Sequence, residues 1–308
     1  MLNHTDNEAE GTATSHRLMK IATYAAVSVA AVLVCAKFGV WLMTGSVSLL
    51  STLIDSLLDV GASLINLLAV RHALQPADSE HRFGHGKAEP LAGLAQAAFI
   101  CGSALFLLLE AGDRLFKPQE ITNVDIGFMV MVLSIILTLG LVGFQKYVVS
   151  KTGSIAIAAD SVHYRMDILV NISVIVSLFL ATQFNLLYAD PIFALAISGY
   201  IIWGAWEIGS ESLHLLMDRE LPDEDRRNIK KIAMQNPDVR GMHDLRTRAS
   251  GQDLFIQMHL EMDPEIPLRK AHVIAEDVMY RIEEAYPNAE VLIHEDPEGV
   301  EERRIEFK

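Results

Sequence analysis

Apolar residues gather into six long runs along the first two-thirds of the chain, and then the pattern changes. The runs extend from about Ile21 to Met43, Val47 to Val70, Pro90 to Leu109, Val124 to Val148, Ile155 to Thr182 and Pro191 to Gly209. A helix needs ~20 mostly apolar residues to cross the hydrocarbon core of a bilayer. Each run has about that length and is apolar on nearly all faces, unlike the single-striped helix of a soluble protein. Thr44-Gly45-Ser46 separates the first two runs. The pattern predicts an α-helical polytopic membrane protein with six transmembrane helices. A polar N-terminal segment (1–17) precedes this membrane domain (18–213), and a soluble domain (214–308) follows it.

After Met217 the periodicity becomes that of a small packed domain. Asp223 to Gln235 reads as an amphipathic helix opened by Pro222, and Leu268 to Tyr286 as a second. Leu254 to Met262 alternates clearly, with Phe255, Gln257, His259 and Glu261 on one face. His243 to Arg248 alternates weakly, and Glu290 to Glu295 is a third strand. The order α-β-β-α-β predicts a ferredoxin-like α/β sandwich with its helices on one face.

Charge orients the membrane part. Arg17 and Lys20 precede the first run, Arg71, Arg82 and Lys87 follow the second, and Lys146 and Lys151 follow the fourth. The loops after the first and fifth runs lack Lys and Arg, and the loop after the third carries only Arg114 and Lys117. Positive residues stay inside, so both termini are expected in the cytoplasm. The segment before Lys20 carries Asp6, Glu8 and Glu10 and has no cleavage pattern, so the first run is expected to be retained as an anchor. The net charge of −14 disfavours nucleic acid as a partner. Cys35 and Cys101 lie inside apolar runs, so any metal must be held by His and carboxylates.

The chemistry begins inside the membrane. Asp55 and Asp59 lie four apart in the second run, and His163 and Asp167 lie four apart in the fifth. That spacing puts each pair on one helix face. An ionisable group in a bilayer costs at least ~2.5 kcal/mol, and two neighbouring carboxylates also repel. A divalent cation held by three carboxylates and one imidazole would offset both terms, and four such donors fit tetrahedral zinc. A polar seam or a proton relay is the bland alternative, and it suits one such residue better than two matched pairs. Asp160 shares the His163 face one turn back and is expected at a pore mouth, beside the metal but not on it. Arg165 is expected to pair with a carboxylate or to snorkel. Lys37 stays open between similar roles.

These pairs resemble the transport site of the cation diffusion facilitators. Arg82-Phe83-Gly84-His85-Gly86-Lys87-Ala88-Glu89 and the C-terminal domain are similar to them as well. The resemblance runs from about Leu18 to Pro297 and is nearest to the bacterial zinc and ferrous-iron efflux pumps. It implies a second zinc site at Asp78, His81 and His85. It also implies a charge interlock between Lys87 and Asp218 at the domain junction. In the soluble domain it implies a binuclear zinc site of His243, His259, His272, His294 and Asp296, with Asp296 bridging. Glu295 stands where the family often has Gln, and an extra carboxylate there would strengthen the site or change its metal preference. His214 lies outside the pattern and reads as structural.

The implied function is divalent-metal efflux from the cytoplasm by a homodimer in a bacterial inner membrane, through alternating access and in exchange for protons. Metal binding requires deprotonated ligands, so proton coupling follows from the site. His163 is the natural coupling residue, because a free imidazole titrates near ~6.5. One imidazole with three carboxylates suits zinc or cadmium, and ferrous iron is a further candidate. The soluble domain is expected to act as a cytosolic metal sensor. A membrane-anchored sensor that transports nothing would not need carboxylates buried in two helices. An intramembrane metalloenzyme would be expected to carry a signature such as His-Glu-x-x-His, which is absent.

Overall fold

The computed structural model describes residues 2–44, 47–116, 124–184 and 189–300. The Gly45-Ser46 break and Lys117 lie outside them. The chain divides into two compact units, Met1–Leu213 and His214–Lys308.

Six long helices make up the membrane part: α1 (Leu2–Thr44), α2 (Val47–Ala73), α3 (Ala88–Phe116), α4 (Val124–Thr152), α5 (Ile155–Phe184) and α6 (Ala189–Leu216). The polar N-terminal segment is not separate from the first membrane helix. It continues as helix from Leu2, and its sequence holds no proline to stop one. Five of the six helices are long and apolar enough to cross a membrane. α5 is as long as these, with Asp160, Arg165 and Asp167 in its first half and an apolar second half.

The exterior of this unit is apolar and much of its interior is polar, as expected where lipid replaces water as the solvent. Leu42, Leu57, Leu58, Phe106, Leu109, Trp203 and Trp206 are exposed. Ser56, Ser63, Asn66, Gln96, Gln145, Asp160, Ser161 and His163 are buried. Small residues let the helices approach. A Cβ on Gly93 of α3 would stand 2.6 Å from Ser212 Oγ of α6.

Helix α5 carries half of the candidate site, and its start is well defined. Gly153 closes α4 in the left-handed region (φ +64), and its amide donates to Val149 O at 2.8 Å. Ser154 then caps α5, its Oγ accepting from the Ile157 amide at 3.3 Å. Glu89, on the first turn of α3 and buried, accepts from Ser154 Oγ and from the Ala156 amide.

The second unit contains α7 (Asp223–Ala233), β1 (Gly241–Ser250), β2 (Asp253–Met262), α8 (Leu268–Ala285) and β3 (Ala289–Pro297). The sheet order is β1-β2-β3, with β1 antiparallel and β3 parallel to β2. Ile229, Ile256, Met258, Leu260, Val278 and Ile282 form a core between the helices and one face of the sheet. The weak alternation of β1 has a cause. The register shifts between His243 and Arg246, and Asp244 takes φ 49 there. The bulge lets Met242 and Leu245, three apart, both pack on the core. Ile282 is fully buried, so Ile282→Ala should cost about 2–5 kcal/mol, read by denaturant unfolding of the 214–308 unit.

Candidate metal centres

Three groups of His and carboxylate side chains bring donor atoms within 4.8 Å of one another: Asp59, His163 and Asp167; Asp78, His81 and His85; and His243, His259 and Asp296.

The first lies between α2 and α5. His163 Nε2 is 3.1 Å from Asp59 Oδ1 and 3.9 Å from Asp167 Oδ2. The helices are pinned beside it. Ser63 Oγ and Tyr164 Oη are 2.9 Å apart, and Asn66 Nδ2 donates to Ala156 O at 3.3 Å. Asp55 is exposed one turn along α2 and is not within this group. Asp160, expected at a pore mouth, is instead buried and accepts from Gln145 Nε2 at 2.6 Å. It therefore does not join the trio. Arg165 Nε donates to Ser161 O in the preceding turn. Lys37 of α1 donates to Ser56 Oγ at 2.5 Å and to Thr52 O at 3.3 Å, which brings an ammonium next to Asp55 in sequence and one turn from Asp59.

The second group is built by a tight loop between α2 and α3. The Asp78 carboxylate accepts from the amides of Glu80 (2.9 Å) and His81 (2.6 Å). The His81 amide bond chiefly holds the Asp78 carboxyl below its usual range, so it stays ionised and ready to bind a cation. Its oxygens are 3.4 Å from His81 Nδ1 and 3.4 Å from His85 Nε2. His85 is buried, whereas Asp78 and His81 are exposed.

Strand register builds the third. His243 is paired with His259 across β1 and β2, and His259 with His294 across β2 and β3. Three imidazoles therefore stand in a row on the sheet face opposite the core. Asp296, two residues beyond His294, turns to the same face and is 5% exposed. Its Oδ2 is 3.2 Å from His243 Nε2 and 2.8 Å from His259 Nδ1, and its Oδ1 is 3.0 Å from His294 Nε2. Glu261 adds a carboxylate 3.2 Å from His243 Nδ1, a neighbour that the sequence reading passed over. Glu295 shares by alternation the face of Val291 and Ile293, which pack on the core. His272 is not brought to the row. It lies on α8, exposed, with Nε2 3.4 Å from Glu276 Oε1.

Comparison with known proteins places this architecture. Residues 23–217 match the cation efflux transmembrane domain, and residues 221–298 match the cation efflux protein cytoplasmic domain. The chain belongs to the cation efflux, or cation diffusion facilitator, family. The chain is 48% identical over 281 residues to the cation-efflux pump FieF of Serratia proteamaculans, covering 91% of this chain and 93% of that one. It is 48% identical over 284 residues to the protein of that name in Klebsiella pneumoniae subsp. pneumoniae, covering 92% and 94%. A solved chain of CzrB in a zinc form is 28% identical over 28% of this chain and 99% of its own, with a TM-score of 0.26.

As a cation diffusion facilitator the chain is a membrane cation-efflux transporter and not an enzyme. The three groups suit such cargo, since imidazole and carboxylate are donors for zinc-like ions. The sequence reading missed Gln145, although a polar residue within an apolar run signals a buried partner, here Asp160.

Proposed function

We propose that this transporter exports zinc from the cytoplasm in exchange for protons, with cadmium and ferrous iron as further cargo. The observation that carries the reading is the convergence of Asp59, His163 and Asp167 from two helices embedded in apolar surroundings. A protein with no cation to carry has no use for that cost. Asp55 supplies the fourth donor once its side chain turns toward the trio from one turn away. Equal geometry favours zinc over ferrous iron in the Irving–Williams order.

In this reading α5 is the sixth span, and both termini lie in the cytoplasm of a bacterium whose inner membrane holds the protein as a homodimer. The groups at Asp78 and at Asp296 bind regulatory metal. Relatives named cation-efflux pumps support the direction. Protons and metal share the same donor atoms, so acid outside releases the ion that neutral cytoplasm loaded.

The test is zinc flux in proteoliposomes with an imposed pH gradient. Zinc should accumulate on the acidic side, and an ionophore that collapses the gradient should stop the accumulation. Zinc movement indifferent to the gradient would overturn the antiport. Zinc binding without any flux would return the chain to the sensor reading.

A further inference from the structure

The loop group offers three donors, Asp78, His81 and His85, whereas a closed zinc site takes four. A fourth imidazole stands beside it. His72, in the last turn of α2, packs its ring against that of His85 with centroids 4.6 Å apart and planes at 65°. The His81 ring is also 4.6 Å from that of His85. His85 thus contacts the rings of two histidines. It is nine-tenths buried, and its Nδ1 has no hydrogen-bond partner among the described residues. Buried imidazole nitrogens are ordinarily satisfied, and this one faces no partner that the described residues supply.

We propose that His72 is the fourth protein ligand of the loop metal site, closing it around a zinc-like ion. This rests on the reading of Asp78, His81 and His85 as a metal site. His72 is exposed, so its ring can turn about its own side-chain bonds at the cost of no buried packing beyond its contact with His85. Four protein donors would make the site closed and structural, not one that keeps an open position for exchange.

The position gives the ligand a consequence. His72 ends the helix that carries Asp55 and Asp59, and His85 lies just before α3 begins at Ala88. An ion shared by the two would clasp the end of the transport-site helix to the entry of the next. Loop occupancy would then bear directly on α2.

The alternative is a ring contact with no ligand role, which phenylalanine would serve as well. The experiment uses that difference. The full-length protein in detergent, with the other two groups silenced by Asp59→Ala, His163→Ala, His243→Ala and Asp296→Ala, is titrated with zinc against a chromophoric chelator. It is also titrated with cobalt, whose visible absorption reports the ligand set. His72→Phe and His81→Ala are compared in that background, with circular dichroism as the control for folding.

Loss of an outer partner of a metal ligand already weakens binding by about 10–100-fold, so loss of a ligand should cost no less. His72→Phe is therefore expected to weaken zinc at least about tenfold and to change the cobalt spectrum. If His81→Ala abolishes binding while His72→Phe matches its parent in affinity and spectrum, His72 is not a ligand and the three-donor site stands without it. If the parent binds no metal, the loop-site reading fails, and the role of His72 fails with it.

Discussion

Asp59→Asn and His163→Ala should each reduce zinc flux at least about a hundredfold, beyond what loss of an outer partner alone does. His163 Nε2 is the atom that both carboxylates approach, at 3.1 Å for Asp59 and 3.9 Å for Asp167. Removing the imidazole leaves two carboxylates facing each other with no neutral donor between them. Removing the Asp59 charge leaves one carboxylate and one imidazole, too few to strip a divalent ion of its water. Asparagine preserves volume, so the loss would report charge and not packing. The measurement is flux under a fixed pH gradient, with bound zinc counted separately.

The order of effects is as informative as their size. Asp55→Asn should rank below Asp59→Asn, because Asp55 must first turn toward the group. Asp160→Asn should rank below both for binding, because its carboxylate is engaged by Gln145 and lies outside the trio. If Asp160→Asn abolished zinc binding while Asp59→Asn spared it, the ion would have to sit one turn lower on α5 than proposed here.

Much of this was legible in the sequence, for physical reasons that differ from element to element. The membrane helices declare themselves by length and apolarity, α5 among them although Asp160, Arg165 and Asp167 lie in its first half. The spacing of four in Asp55/Asp59 and His163/Asp167 fixes a face, yet it does not say which carboxylate turns to which imidazole. That depends on where α2 and α5 cross, which Ser63, Asn66 and Tyr164 help to set.

In the second unit the three strands are readable from alternation, but their register is not. The row His243, His259, His294 exists because β1 is shifted by a bulge at Asp244, whose weak alternation was the only trace in the sequence. His272 looks equivalent to the other histidines by residue type. It is not brought to them because α8 covers the core face of the sheet while the row lies on the opposite face, and Ala271, its neighbour, takes the buried position. Asp160 and Gln145 illustrate a similar limit. A polar residue in an apolar run signals a partner without naming it.

Asp296→Asn should remove the response of the cytosolic unit to zinc while leaving its metal-free fold intact. The 214–308 unit has its own core, so it can be studied alone. A ligand that binds only the folded state adds about 2.7 kcal/mol of stability at a concentration of about 100 Kd. For a domain of this size that corresponds to a rise of roughly 10–20 °C in Tm. Asp296 is where the row converges, with one oxygen facing His243 and His259 and the other facing His294. Without it the imidazoles lose their shared partner, and the rise should fall to a few degrees. The metal-free variant should melt at or above the wild-type temperature, since a nearly buried carboxylate is costly when no cation faces it. A purely structural Asp296 gives the opposite result, a lower metal-free Tm with the zinc-dependent rise retained.

The pH dependence has a definite sign. Metal and protons compete for the same donor atoms. The zinc-dependent rise should therefore shrink as the medium is made more acid. A rise that grew toward acid would mean that the ion is not held by this histidine row.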